Sequence, residues 1–289
     1  MSANITRPTG SGLAGATTTK LKSFFETNSL VAKVAFILLI LLVFIVVLRL
    51  CIGVLSYMFD ASGTPKLFTG MVPGNFAMTF DQGGTNDATT IIRSNNQYGG
   101  IEFTWSTWVF LETDANATTY RHIFSKGNAN EYASNYPKWD SKPKKTGIMF
   151  PNNAPGLYVA PNDNKLLLVM NTFSKIDEEV SIDNMPMNKW VSIIIRVKDK
   201  NLDIFTNGII TKNMQFSSPP RQNYEKVNLH LNGGYNGYTS NLWYYNYALG
   251  INAINSIMYW GPNTKLAVNG SIMETSSNYL SSSWYFDSN

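Results

Sequence analysis

Hydrophobic residues are distributed along this chain in two unlike ways. From Val34 to Leu48 the run VAFILLILLVFIVVL holds no charged or strongly polar side chain. Lys33 stands just before it and Arg49 just after, followed by a second apolar run, LCIGVLSYMF. A helix on the surface of a globular protein shows a polar stripe at the 3.6-residue period, and this run shows none. Crossing a bilayer takes roughly 20 apolar residues, so the span must take in neighbours of the core. The stretch 30–59 therefore predicts one transmembrane helix, with Val34, Phe36, Leu41, Phe44 and Val47 among its membrane residues. Its exit, MFDASGTP, is a poor cleavage site, which favours an anchor over a removed leader.

Beyond the helix the pattern becomes short, turn-punctuated runs. In IEFTWSTWVFL, Ile101, Phe103, Trp105, Val109 and Leu111 share one parity, with Glu102, Thr104, Ser106 and Trp108 on the other. RHIFSKG, LYVAP and KLLLVMNTF are further strand candidates bounded by Gly, Pro and Asn. A run from Trp190 to Val197 turns at Asp199-Lys200-Asn201 into Leu202–Thr206, which turns at Asn207-Gly208 into Ile209–Thr211. Asn-Gly suits a type I′ hairpin turn because both residues tolerate positive φ. VNLHL and TSNLWYYNYAL supply two more strands, and INAINSIMYW alone reads as helical. The expected fold is all-β, an antiparallel sandwich behind a single N-terminal transmembrane helix. The expected division is a flexible basic tail over 1–29, the helix over 30–59 and a linker over 60–75. The sandwich then occupies 76–260, and an aromatic-ended arm 261–289.

Charge sharpens this division. Arg7, Lys20, Lys22, Lys33 and Arg49 against Glu26 account for the whole net charge of +4, so from Asp60 onward the charges balance. The large domain has no global electrostatic reason to seek nucleic acid. The basic front places the N-terminus on the cytosol-like side and the large domain across the membrane. Cys51, the one cysteine, lies in the apolar segment, so the large domain has no internal disulfide and shows no sign of maturing in an oxidising lumen. Sequons at Asn4, Asn116 and Asn269 are at chance level in a chain this rich in Asn, Ser and Thr.

The runs GIEFTWSTWVFL, HIFSKG, GLYV, MPMNKWVSIIIRVKDKNLDIFTNGIITK and LNGGYNGYTSNLWYYNYAL follow one another in an order that resembles the laminin-G/concanavalin A-like jelly roll, over about 91–260. IIRSNNQYGGIEFTWSTWVF and KWVSIIIRVKDKNLDIFTNG further resemble the membrane-anchored concanavalin A-like proteins of large icosahedral DNA viruses infecting algae. That resemblance implies a minor capsid protein of the virion, at the inner viral membrane and capsid, with the lipid bilayer and capsid or other virion proteins as partners. The alternative it implies is a lectin-like protein that recognises glycans.

Relatives of the fold include glycoside hydrolases, which need two carboxylates flanking the scissile bond. The nearest pattern is SKIDEEVSID, where Asp177, Glu179 and Asp183 share a parity; the motif's second glutamate is missing, and a charged edge strand accounts for it. No catalytic site is expected. His122 and His230 are isolated strand residues, and LNGGYNG lacks the lysine of a phosphate loop. Asn162, Asp163, Asn164, Asp81, Asn86 and Asp87 offer loop oxygens for calcium but serve equally as turn formers, so no cofactor or metal is assigned. Recognition is expected on the insertion KGNANEYASNYPKWDSKPKKTG, where Tyr132, Tyr136 and Trp139 are interleaved with Lys138, Lys142, Lys144 and Lys145. A second contact cluster is expected at Tyr279, Trp284, Tyr285 and Phe286 near the C-terminus.

Overall fold

The computed structural model describes residues 29–59, 63–82, 89–97, 100–113, 117–129, 145–161 and 164–267, with Ser23 and Glu26. The chain divides into two compact units, Met1–Asp60 and Ala61–Asn289.

The first unit is carried by helix α1, Leu30–Phe59, unbroken through Arg49. Its stretch Leu30–Leu55 is long and apolar enough to cross a membrane and none of it is buried. Val34, Leu41, Phe44 and Val47 are exposed along it and Phe36 is half-buried.

The second unit is a sandwich of two antiparallel sheets. Its strands are β1 (Lys66–Pro73), β2 (Met78–Phe80), β3 (Asn95–Gln97), β4 (Gly100–Leu111), β5 (Arg121–Lys126), β6 (Gly156–Val159) and β7 (Leu166–Met170). β8 (Glu178–Ile182), β9 (Trp190–Lys198), β10 (Asn201–Thr206), β11 (Ile209–Gln215), β12 (Val227–Leu229) and β13 (Gly237–Tyr245) follow, and then helix α2 (Ile251–Trp260). One sheet runs β1-β13-β4-β9-β10-β11 with β3 paired onto β4; the other runs β2-β12-β5-β6-β7-β8.

The hairpins are where the turn residues place them. Asp199 (φ 53°) turns β9 into β10, and Asn207 (φ 51°) with Gly208 (φ 78°) turns β10 into β11. Between the sheets lies one aromatic-rich core. Trp105 packs on Phe124 of the opposite sheet at 5.5 Å between ring centroids and on Tyr244 at 5.0 Å, while Phe68 stacks on Phe80 at 6.3 Å.

The strict in–out alternation expected for β4 is not what is found. From Phe103 to Val109 every residue of β4 is buried, Trp108 included. The outer face is covered: Thr104 Oγ1 donates to Tyr247 O at 2.9 Å and accepts from Leu249 N–H at 3.0 Å, and α2 seats Ile254 and Ile257 with Leu249 over Ile194 of β9 and Phe205 of β10. Ile148, Met149 and Phe150 close the outer face of the other sheet over Tyr158, Leu167 and Val169.

Two boundaries are corrected. The expected linker over 60–75 contains β1, which pairs along β13 from Lys66↔Trp243 to Pro73↔Tyr238 and buries Leu67, Phe68 and Val72 in the core. Its Gly and terminal Pro hid it from a strand pattern. At the other end, residues expected in the arm belong to the sheet edge: Met71 N–H donates to Lys265 O at 2.8 Å and Ala267 N–H to Met71 O at 2.9 Å. The strand expected to run through TSNLWYYNYAL stops at Tyr245, and Asn246 begins the turn that leads to α2.

Candidate functional site

Of the residues expected to make partner contacts, only Lys145 is among those described. Tyr132, Tyr136, Trp139, Lys142, Lys144, Tyr279, Trp284, Tyr285 and Phe286 lie outside the described residues. Lys145 is ion-paired with Glu179 of β8 and sits over the Tyr120 ring at 5.9 Å, so it ties the end of its loop to the sandwich.

The acids of the edge strand are similarly engaged. Ser181 Oγ donates to Asp183 at 3.1 Å, and Lys165 Nζ lies 3.8 Å from the same carboxylate. The buried acid is Glu178, which the parity argument passed over. It accepts from Ser217 N–H at 2.9 Å, Ser217 Oγ at 2.7 Å and Thr172 Oγ1 at 3.1 Å. Those bonds fasten the segment between β11 and β12 to the free edge of the sheet. Of the loop oxygens considered for calcium, Asn162, Asp163, Asn86 and Asp87 lie outside the described residues. Asp81 meets Lys226 Nζ at 2.9 Å, and among the described residues no three His, Cys, Asp or Glu side chains converge.

The histidines are not isolated: both are buried, and His230 adds to the lowering of His122. Leu231 N–H donates to His122 Nδ1 at 3.0 Å, which leaves the proton on Nε2 to donate to Ser125 Oγ at 2.8 Å. His230 donates from Nδ1 to Phe76 O at 3.0 Å and accepts from Thr239 Oγ1 at Nε2, 2.7 Å away. Each ring is thus fully bonded as the neutral tautomer. Burial, and after it the neighbouring His230, lowers His122 to about 3. Burial lowers His230 to about 4 against the opposing pull of the Phe76 and Pro73 carbonyls.

An aromatic cleft lies among the described residues on the outer face of the β1-containing sheet. There α2 and the segment after it flank β13 and leave a cleft of about 680 Å³. Trp108, Trp243, Tyr245 and Trp260 line it, with Asn241 and Asn263 as its amides, and no charged side chain belongs to the wall. Asn241 is held with φ 53° and accepts from Gly70 N–H at 3.1 Å. Ser240 Oγ both donates to Asn263 O at 2.9 Å and accepts from Asn263 N–H at 3.0 Å, which fixes the far wall. Lys66 Nζ sits over the Trp243 ring at 4.8 Å, and Trp243 Nε1 is buried with no partner among the described residues. At the mouth, Trp260 is 79 % exposed and meets Tyr259 edge-on at 5.6 Å. One exposed indole and half-buried rings beside fixed amides suit a ligand with both CH and hydroxyl surface, or a protein side chain seated in a pocket. The signal available in the sequence was Trp108 on the parity assigned to the outside.

No family model matches the sequence, and no curated protein matches it. Among solved structures, the binding domain of botulinum neurotoxin serotype G is similar with a TM-score of 0.44 and 10 % identity, over 66 % of this chain and 46 % of that one. The receptor binding domain of botulinum neurotoxin D is similar with a TM-score of 0.44 and 11 % identity, over 66 % and 47 %. The binding domain of botulinum neurotoxin DC in complex with SialylT has a TM-score of 0.40 and 12 % identity, over 55 % and 35 %. The chain spans less than half the length of these structures.

Proposed function

We propose that this chain is a membrane-anchored, non-enzymatic structural protein of a virion, a minor capsid component linking an inner viral membrane to the capsid. The observation that supports it most is the joining, in one chain, of an apolar helix with no buried residue over Leu30–Leu55 to a sandwich whose edge carboxylates are occupied in holding its own strands. The resemblance of the β3–β4 and β9–β10 sequences to virion proteins supports the location. Helix α1, at 30 residues, is about 45 Å long, against roughly 30 Å of hydrocarbon. Its Arg49-bearing end can therefore stand clear of the lipid, where a lone arginine at the centre would cost about 2.5–3.5 kcal/mol.

In purified particles the chain is expected to resist alkaline carbonate and to leave the membrane only with detergent. Leu41→Arg, in the middle of the span, lowers insertion by about 2.5–3.5 kcal/mol and shifts chain to the soluble fraction. Release by carbonate alone would sink the anchor, and failure to appear in particles would sink the capsid role.

A second reading, glycan recognition by the lectin-like sandwich, is favoured by the uncharged aromatic cleft beside α2. For the full chain in lipid nanodiscs, Trp260→Ala is expected to weaken binding on a glycan array by about tenfold, roughly 1.4 kcal/mol. An array with no binder removes this reading and leaves the structural one.

A further inference from the structure

The chain enters the sandwich beside β13, the strand that α2 flanks. Gly63 O accepts from Asn246 N–H at 2.9 Å, and Pro65 O accepts from Tyr244 N–H at 3.1 Å. Only residues 60–62 separate Gly63 from Phe59, the last residue of α1. Four peptide steps reach about 14 Å at full extension, whatever course they take. A tether this short holds the sandwich at an effective concentration of about millimolar or more before any bilayer that α1 crosses. A weak affinity for lipid is then enough to seat one of its faces.

One face is suited to that. From Val227 to Thr264 the chain carries no Asp, Glu, Lys or Arg, and the turn and helix late in this stretch set apolar side chains outward. Tyr247, Ile251, Tyr259 and Trp260 are all exposed, Tyr259 at 84 %. α2 gives Ile254 and Ile257 to the sheet. At 100° per residue Tyr259 then stands about 180° round the helix from their midpoint, so it points straight away from the sheet. The β10–β11 hairpin extends the surface. Gly208 lies so close to α2 that a β-carbon there would be 2.9 Å from Met258 Cγ, and Ile209 after it is 72 % exposed.

The outward side of a helix on a water-facing surface ordinarily carries charge. Here it carries the Tyr259–Trp260 pair with Asn252, Asn255 and Ser256, so lipid contact desolvates no ion on α2. Tyr and Trp join an apolar ring to one polar atom and concentrate at the headgroup level, where one end is dry and the other wet. Lys66, over the Trp243 ring, and exposed Lys265 at the edge of the same sheet add the cations that anionic headgroups attract.

We infer that the sandwich rests this face, the outward side of α2 with Tyr247 and Ile209, on the headgroup region of the bilayer that α1 crosses. The inference rests on α1 being an anchor, and it covers with lipid the cleft mouth that the second reading gives to a glycan.

The test uses the full chain with Cys51→Ser, in phosphatidylcholine–phosphatidylserine nanodiscs with and without nitroxide-labelled lipid. A nitrobenzoxadiazole label is placed on Tyr259→Cys or, for comparison, on Ser181→Cys, exposed on β8 of the other sheet. The label on Tyr259→Cys is expected to lose about half its emission to the nitroxide and that on Ser181→Cys less than about a tenth, because quenching needs contact with the headgroup and acyl boundary. Native tryptophan gives a label-free reading, since α1 holds none. Its quenching by brominated lipid is expected to fall by about half in Trp260→Phe, which keeps an aromatic ring in place. Chain that stays with the nanodiscs but shows equal quenching at the two labels, or none at Tyr259→Cys, overturns the inference and leaves the anchor standing. Tryptophan quenching unchanged by Trp260→Phe overturns it likewise. Chain that does not stay with the nanodiscs overturns the anchor and the inference together.

Discussion

Lowering the pH from 7 to 5 is expected to remove up to about 4 kcal/mol of the sandwich's folding stability through His122 and His230. In the folded state both imidazoles are neutral, with values near 3 and 4, whereas in the unfolded chain they protonate near 6.5. Between those limits the unfolded state binds more protons, so stability rises with pH. The contribution is complete above about 6.5 and is lost as the pH falls, at about 1.4 kcal/mol per pH unit for each ring. It stops falling near pH 4 for His230 and near pH 3 for His122, where the folded state protonates as well. The bonding makes the second proton costly, because His122 Nδ1 must accept the Leu231 N–H and cannot do so once protonated. Thermal melts of the full chain followed by tryptophan fluorescence read this directly between pH 7 and 5, above the range where most carboxylates titrate. His122→Gln is expected to halve the pH dependence whatever it does to stability at pH 7. Equal stability at pH 7 and 5 would falsify the assignment of both rings as neutral.

Replacing Trp105 with alanine is expected to cost about 3–5 kcal/mol, the usual range for an aromatic removed from a packed core. The ring is 1 % exposed and bridges the sheets, meeting Phe124 on one side and Tyr244 beside it. Tertiary packing cannot collapse onto the vacancy without moving strands, so the cavity remains and its cost with it. Trp260→Ala is the internal comparison: at 79 % exposure it should stay within about 0.5 kcal/mol of the parent. A Trp105→Ala variant as stable as Trp260→Ala would mean that the sandwich does not rest on this contact. The pair also separates folding from recognition, since only Trp260 stands at the mouth of the aromatic cleft.

The uneven legibility of the chain has a common cause. Turn chemistry is local, so Asp199 and the Asn207-Gly208 pair announced the β9–β10–β11 hairpins from a few residues each. β1 was not legible, because it is a strand only through its ladder with β13, far off in sequence. The second face of β4 was misread for a related reason. Alternation reports one buried face and one wet face, and α2 dries the outer one. The aromatic cleft escaped the same way. Trp108, Trp243 and Trp260 stand far apart in sequence and line one cleft only through the fold. The histidines read as isolated because their sequence neighbours say nothing of each other, yet the fold sets His230 near enough to help lower His122.

The apolar helix follows from the sequence alone, since an uninterrupted run with no polar face is long and apolar enough to cross a membrane. The sequence also determined the all-β class and the tight hairpins, because periodicity and turn residues act over a few positions. Only the tertiary structure decided which carboxylate is buried, that both histidines are neutral, and where the aromatic cleft lies. Those properties depend on burial and on partners distant along the chain, and desolvation is a property of the assembled fold rather than of any segment in it.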